Sequence, residues 1–102
     1  MDFSLAEEQR LLVDTFAAFA RAELAPGYGA RDRAAAFPTG LWRRLGALGA
    51  FGLRVPAAHG GADVDCVTAG LAVEAIATGD PNICYGMLNA CFAGDLLRQF
   101  AA

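Results

Sequence analysis

The chain has 102 residues, enough for one compact domain, which at this size buries only about 60–70% of its unfolded surface. A net charge of −3, with eight arginines scattered apart from Arg43-Arg44 and the Arg31/Arg33 pair, leaves no basic patch for nucleic acid. The hydrophobic share of 56% is generous for a small domain, so either alanine builds much of the core or some apolar surface awaits a partner.

Other classes fall away on similar grounds. The longest uncharged run is about 14 residues, Pro81 to Gly94, short of the roughly 20 that a membrane-spanning helix needs. Asp2, Glu7 and Glu8 at the start do not resemble the basic opening of a signal peptide, and a cytoplasmic setting is expected. Cys66, Cys84 and Cys91 form no CxxC and His59 is the only histidine, so no metal site is predicted and the thiols read as small buried hydrophobes.

In chain order, "SLAEEQRLLVDTFAAFARAEL" predicts a first helix. Ser4 and Glu7 offer a capping box, Leu5, Leu12, Phe16 and Phe19 recur at helical spacing, and Pro26-Gly27 marks the end. Asp14 and Arg21 fall on other faces as solvated side chains. "GYGARDRAAAFP" reads as an irregular linker leading to Pro38 at the start of a second helix. There Leu41, Trp42, Leu45 and Leu48 share a face, with Arg43 and Arg44 turned away, so Trp42 reads as a core anchor rather than a cofactor-stacking residue. Gly49 and Gly52 suit the helix end. "RVPAAHGGADVD" is a loop, after which Asp65 caps a third helix of mostly small residues. Its one acid, Glu74, has no titratable partner and reads as a surface residue rather than a catalytic one.

Gly79 closes the third helix, Asp80 caps a fourth, and Pro81 occupies its first turn. No strand survives, and the predicted fold class is all-α, an up-down bundle of about four helices. The fourth helix, "PNICYGMLNACFAGDLLRQF", is apolar on every side. Cys84, Leu88 and Phe92 recur at i, i+4, i+8 and share one face, with Met87 and Cys91 beside them. Without further information that face would pack inside the bundle.

Three stretches, in matching order and spacing, together resemble the N-terminal helical domain of the acyl-CoA dehydrogenase family: "MDFSLAEEQRLLVDTFAAFARAELAP", "FPTGLWRRLGALGAFGLRVPAAHGG" and "VEAIATGDPNICYGMLNACFAGDLL". The resemblance covers nearly the whole chain. It implies a domain spanning residues 1–102 of a flavoenzyme that takes two hydrogens from the α and β carbons of an acyl-CoA or acyl-carrier-protein thioester. In that family a carboxylate removes the α proton, the β hydrogen passes as hydride to FAD, and the electrons leave to an electron-transferring flavoprotein. The family's β-domain and C-terminal helical domain, which carry the flavin contacts and the catalytic Glu, have no counterpart here. The isolated segment is therefore expected to be inactive, to bind no FAD alone and to contribute no catalytic residue. The complete enzyme is expected to be a homo-oligomer. Because the chain stops at "RQFAA", where the family continues, it reads as a fragment.

The resemblance also implies that Cys84, Leu88 and Phe92, with Met87 and Cys91 as neighbours, line the cavity for the acyl chain. A bulky Phe92 would shorten that cavity and points to a short or branched acyl group. The chain departs from the family at His59, where many members have an aromatic residue before Gly-Gly, at "GGADVD", and at Glu74-Ala75, where two acids are common. The alternatives are a non-catalytic helical module that binds through its fourth helix, and one chain of a split dehydrogenase.

Overall fold

A computed structural model describes residues 1–101, and among them every regular element is helical: α1 (Glu7–Phe19), α2 (Tyr28–Ala34), α3 (Thr39–Ala47), α4 (Cys66–Ala77) and α5 (Pro81–Phe100). The all-α reading holds. α4 packs between α1 and α5, and the short turn Ala50–Gly52 packs on α5. Phe16, Leu24, Leu45, Leu53, Ile76 and Met87 are the largest fully buried side chains, drawn from nearly every segment of the chain. Burial of each relative to exposure favours the fold by about 1.5–3 kcal/mol.

α1 begins later than the capping-box reading predicts. Ala6 is its N-cap, and the Gln9 side chain accepts a hydrogen bond from the Ala6 N–H at 2.9 Å. Ser4 instead donates its own N–H to Asp2, so the Ser4/Glu7 box does not form. Gln9 is the better choice because its amide serves two partners: Nε2 also donates to Thr68 Oγ1 at 2.9 Å, tying α1 to α4. Asp14 and Arg21 are exposed, as their positions on the helix predict.

Pro26-Gly27 does not end the helical path. Past Phe19 the chain widens into a single π turn, Ala20–Leu24, tightens through Ala25–Gly27, and enters α2, where a linker was expected. Two glycines and a proline argue against helix at this point; a tertiary contact overrides them. Arg31 of α2 donates to the Leu24 carbonyl at 2.6 Å and, through Nε and Nη2, to Asp80 Oδ2 at 3.2 and 2.9 Å. α2 ends at Ala35, which sits in the left-handed region at φ 50°.

Asp80 is the other half of this arrangement. Its Oδ1 accepts from the N–H groups of Asn82 and Ile83, so one carboxylate caps α5 and also neutralises Arg31 while almost fully buried. The corner that presents it needs Gly79, because a Cβ there would lie 2.7 Å from the Ala20 carbonyl oxygen of the π turn.

In α3, Leu45 is buried, Leu41 and Trp42 are half-buried, and Leu48 is exposed, so the predicted apolar face stops one turn short. Trp42 serves as an anchor, stacked on Phe51 at 4.1 Å and edge-on to Phe37 at 5.4 Å. Gly49, at φ 88°, ends α3 as expected. Arg44 points outward to Glu23.

The loop from Arg54 to Asp65 doubles back on itself. Ala62, Asp63 and Val64 donate to the carbonyls of Gly52, Val55 and Leu53 at 2.9–3.0 Å, and Gly61 lies so close that a Cβ there would stand 2.0 Å from the Val55 carbonyl oxygen. His59 and Glu74 are exposed. Asp65 caps α4 as predicted, accepting from the Thr68 N–H at 2.8 Å; hydrogen bonding by Thr68, from its side chain first and its backbone second, holds the carboxyl below the usual carboxylate range.

Candidate functional site: an apolar groove between two helices

α5 has two apolar faces with different surroundings. Ile83, Met87 and Cys91, spaced i, i+4, i+8, are buried against the bundle. Tyr85, Leu88, Phe92, Leu96 and Phe100 form a second stripe that remains exposed, with Leu88 at 49% and Phe92 at 64%. This accounts for a helix with no polar side: one apolar face builds the core and the other is offered outward.

Where the outer stripe meets α4 lies a concavity of ≈ 200 Å³. Ala69, Gly70 and Val73 of α4 form one wall, and Leu88, Cys91 and Phe92 of α5 the other. Small residues on α4 leave room for the groove, and larger ones on α5 give it apolar surface. At one end Arg54 and Asp95 close it, with Cys66 at the start of α4 beside them.

The predicted lining residues separate on these grounds. Leu88, Cys91 and Phe92 are brought together on the groove. Met87 faces the core and is fully buried, so it does not reach this surface. Cys84 is half-buried, packs against the core, and donates its thiol to the Val73 carbonyl at 3.4 Å. Burial pushes the thiols of Cys84 and Cys91 above their usual range. The expectation that all three cysteines are buried fails for Cys66, which is exposed at the first position of α4.

The charged end of the groove escaped sequence reasoning. Arg54 donates to Asp95 Oδ1 through Nε at 2.8 Å and Nη2 at 2.7 Å, and to the Val64 carbonyl through Nη1 at 2.6 Å. The hydrogen bond to Asp95 raises the Arg54 pKa, and the reciprocal bond from Arg54 lowers that of Asp95. Arg98 and Asp63 pair one turn farther along α5. These pairs span 35 and 41 positions, and no local pattern announces them.

Among the described residues no cluster of His, Cys, Asp or Glu could hold a metal ion, and no helix is long and apolar enough to cross a membrane. Two other concavities, of ≈ 320 and ≈ 310 Å³, lie beside the Arg31–Asp80 pair and between α1 and the Ala62–Asp65 loop. The groove is smaller than the roughly 300–1,000 Å³ of ordinary small-molecule pockets, and the other two lie at the bottom of that range. None presents a run of glycines that could cradle a pyrophosphate.

An all-helical domain with an apolar groove on its last helix thus defines the class, and comparison with known proteins supplies the family. Residues 6–102 match the model of the acyl-CoA dehydrogenase N-terminal domain, and the chain belongs to that family. It is 42% identical over 83 residues to benzylmalonyl-CoA dehydrogenase of Aromatoleum aromaticum, covering 81% of this chain and 22% of that protein. It is 34% identical over 99 residues to the mitochondrial isovaleryl-CoA dehydrogenase of Pongo abelii, covering 93% and 23%. A chain in the solved structure described as "Electron transferring flavoprotein of Acidaminococcus fermentans: Towards a mechanism of flavin-based electron bifurcation" superposes with a TM-score of 0.80 at 33% identity, covering 85% of this chain and 23% of that one. The chain spans less than a quarter of the length of these relatives.

Proposed function

We propose that residues 1–102 act as the N-terminal helical domain of an FAD-dependent dehydrogenase that introduces an α,β double bond into an acyl-CoA or acyl-carrier-protein thioester. Their contribution is part of the acyl-chain pocket. The observation that carries this reading is the groove between α4 and α5, apolar on both helix walls, closed at one end by Arg54 and Asp95, and continuous with the exposed stripe of α5. An alkyl or aryl acyl group is the kind of ligand that gains from such a surface, because its burial releases apolar area from water.

The flavin and the catalytic base belong to the rest of the parent enzyme, and no catalytic step is assigned to these residues. The family membership and the named relatives support an acyl thioester substrate. Electron-transferring flavoprotein as the acceptor is supported by the family and by the structural neighbour. A homo-oligomeric parent enzyme located in the cytoplasm completes the proposal.

The test is Leu88→Trp in the intact enzyme. A larger ring at the groove should shift kcat/KM among acyl chain lengths by about tenfold or more, since one methylene in an apolar pocket is worth about 10–200-fold. Flavin content should remain unchanged. An unaltered chain-length profile would remove Leu88 from the acyl pocket.

The exposed stripe also favours a second reading, a non-catalytic module or one chain of a split enzyme whose partner covers Phe92, Leu96 and Phe100. The intact mass of the polypeptide in its source cell separates the readings. A species several times heavier supports the single-chain dehydrogenase, and one of 102 residues supports the module or the split enzyme.

A further inference from the structure

Cys66 and Cys91 stand on opposite walls of one groove, and the register of the α4–α5 hairpin sets them against each other. The two helices double back at Gly79, and one contact marks their alignment: Cys84 Sγ donates to the Val73 carbonyl at 3.4 Å. A step of seven residues is close to two helical turns and returns to nearly the same face, with a drift of about 20°. Seven residues back from Val73 is Cys66, and seven on from Cys84 is Cys91. Both therefore lie on the side of the hairpin that the Val73–Cys84 contact marks, two turns farther from the corner, Cys91 buried and Cys66 at the exposed edge. Their lining of the same ≈ 200 Å³ concavity agrees with this.

The α4 wall between these levels is Ala69, Gly70 and Val73, residues small enough for close helix packing. Helices packed about 8–10 Å apart bring directly facing Cα atoms to about 3.4–5.4 Å, which overlaps the roughly 4.4–6.8 Å that a disulfide spans. The two thiols differ in access. Cys66 is exposed, and Cys91 is 6% exposed beneath the groove. Such a pair has one sulfur for an oxidant to reach and a second placed to resolve the product.

We propose that Cys66 and Cys91 form a dithiol site that closes to a disulfide across the groove on reaction with a peroxide. The Cys66 thiolate attacks one peroxide oxygen; an S–O bond forms, the O–O bond breaks, and with hydrogen peroxide the leaving hydroxide takes a proton to become water. Cys91 sulfur then attacks the Cys66 sulfenic acid. The S–S bond forms as the S–O bond breaks, and the Cys91 proton leaves with the departing hydroxide as a second water. Two thiols are oxidised by two electrons and one peroxide is reduced. The bridge would staple α4 to α5 across the groove and narrow it, whatever ligand the groove takes.

The test uses the full, reduced chain treated with stoichiometric hydrogen peroxide, then alkylated under denaturing conditions and mapped without reduction. The expected product is a monomer lighter by two hydrogens, with a Cys66–Cys91 linked peptide and Cys84 alkylated; Cys66→Ser abolishes the link. Overoxidised Cys66 with Cys91 fully alkylated, or a Cys66–Cys66 dimer as the main product, would overturn the proposal. Phenylarsine oxide, which bridges two nearby thiols, checks proximity without oxidation. The native chain should bind one equivalent at least tenfold more tightly than Cys66→Ser, and equal binding would also defeat the pairing.

Discussion

At its N-terminal end α5 is held by a charge placed inside the protein, whereas beyond Cys91 it is held by ion pairs near the surface and turns its large apolar residues outward. Asp80 is 2% exposed and has four hydrogen-bond donors, two backbone and two from Arg31. Asp95 and Asp63, which pair with Arg54 and Arg98, retain 28% and 47% side-chain exposure. The contrast separates two ways of positioning a helix. A buried carboxylate is tolerated only when its partners are complete, which makes that end unforgiving. An apolar stripe near solvent costs the fold little and can serve a ligand or another domain.

The largest effect should come from breaking the rigid end. Asp80→Ala leaves Arg31 facing a buried position without its counter-charge and uncaps α5, and should destabilise the chain by about 3–5 kcal/mol, read from thermal or urea unfolding. A loss below about 1 kcal/mol would mean that Arg31 and the helix N-terminus find water instead.

Next in size is the comparison of neighbours on one helix. Met87→Ala removes a fully buried side chain and should cost about 2–5 kcal/mol. Leu88→Ala, one residue on and 49% exposed, should change stability by no more than about 0.5 kcal/mol. Equal losses in urea midpoints would show that the two faces of α5 are not distinct.

The smallest effect is at the surface pairs and depends on pH. Asp95 has its pKa lowered in the folded protein, so its contribution is present in full above the unfolded carboxylate value, near 3.8, and is lost as pH falls through the lower folded value. The urea midpoint should therefore hold from pH 7 to about 5 and decline below about 4. Asp95→Asn should flatten part of that decline; an unchanged profile would leave the Arg54–Asp95 pair without energetic weight.

The same contrast governs what could be read from the sequence. The Asp65 and Asp80 caps and the Gly49 helix end follow from local chemistry and appear where the residue order places them. α2 was missed because its formation rests on Arg31 reaching Asp80, 49 positions away, while the glycines and proline around it signal an irregular chain. The π turn at Ala20–Leu24 has no sequence signature of its own. For the groove, helical spacing finds Leu88 and Phe92, yet it cannot tell that Met87 faces inward, because a helix apolar all round gives no polar side to orient it. Arg54, Cys66 and Val73 come from other elements. Only the symmetric placement of Cys66 and Cys91, and of Val73 and Cys84, about the Thr78–Gly79 corner carried a hint that each pair lies at one level of the hairpin.

The protein's one tryptophan sits at the junction between these regions. Trp42 stacks on Phe51 and lies against Gly86, where a Cβ would come within 2.6 Å of the indole. Its environment thus depends on α5 remaining seated on the turn that follows α3. The indole is a built-in optical gauge: a red shift in its emission would report that α5 has lifted from this seat, while far-ultraviolet dichroism would report loss of the helices themselves. Light alone, with no label added, could show whether the two separate in time.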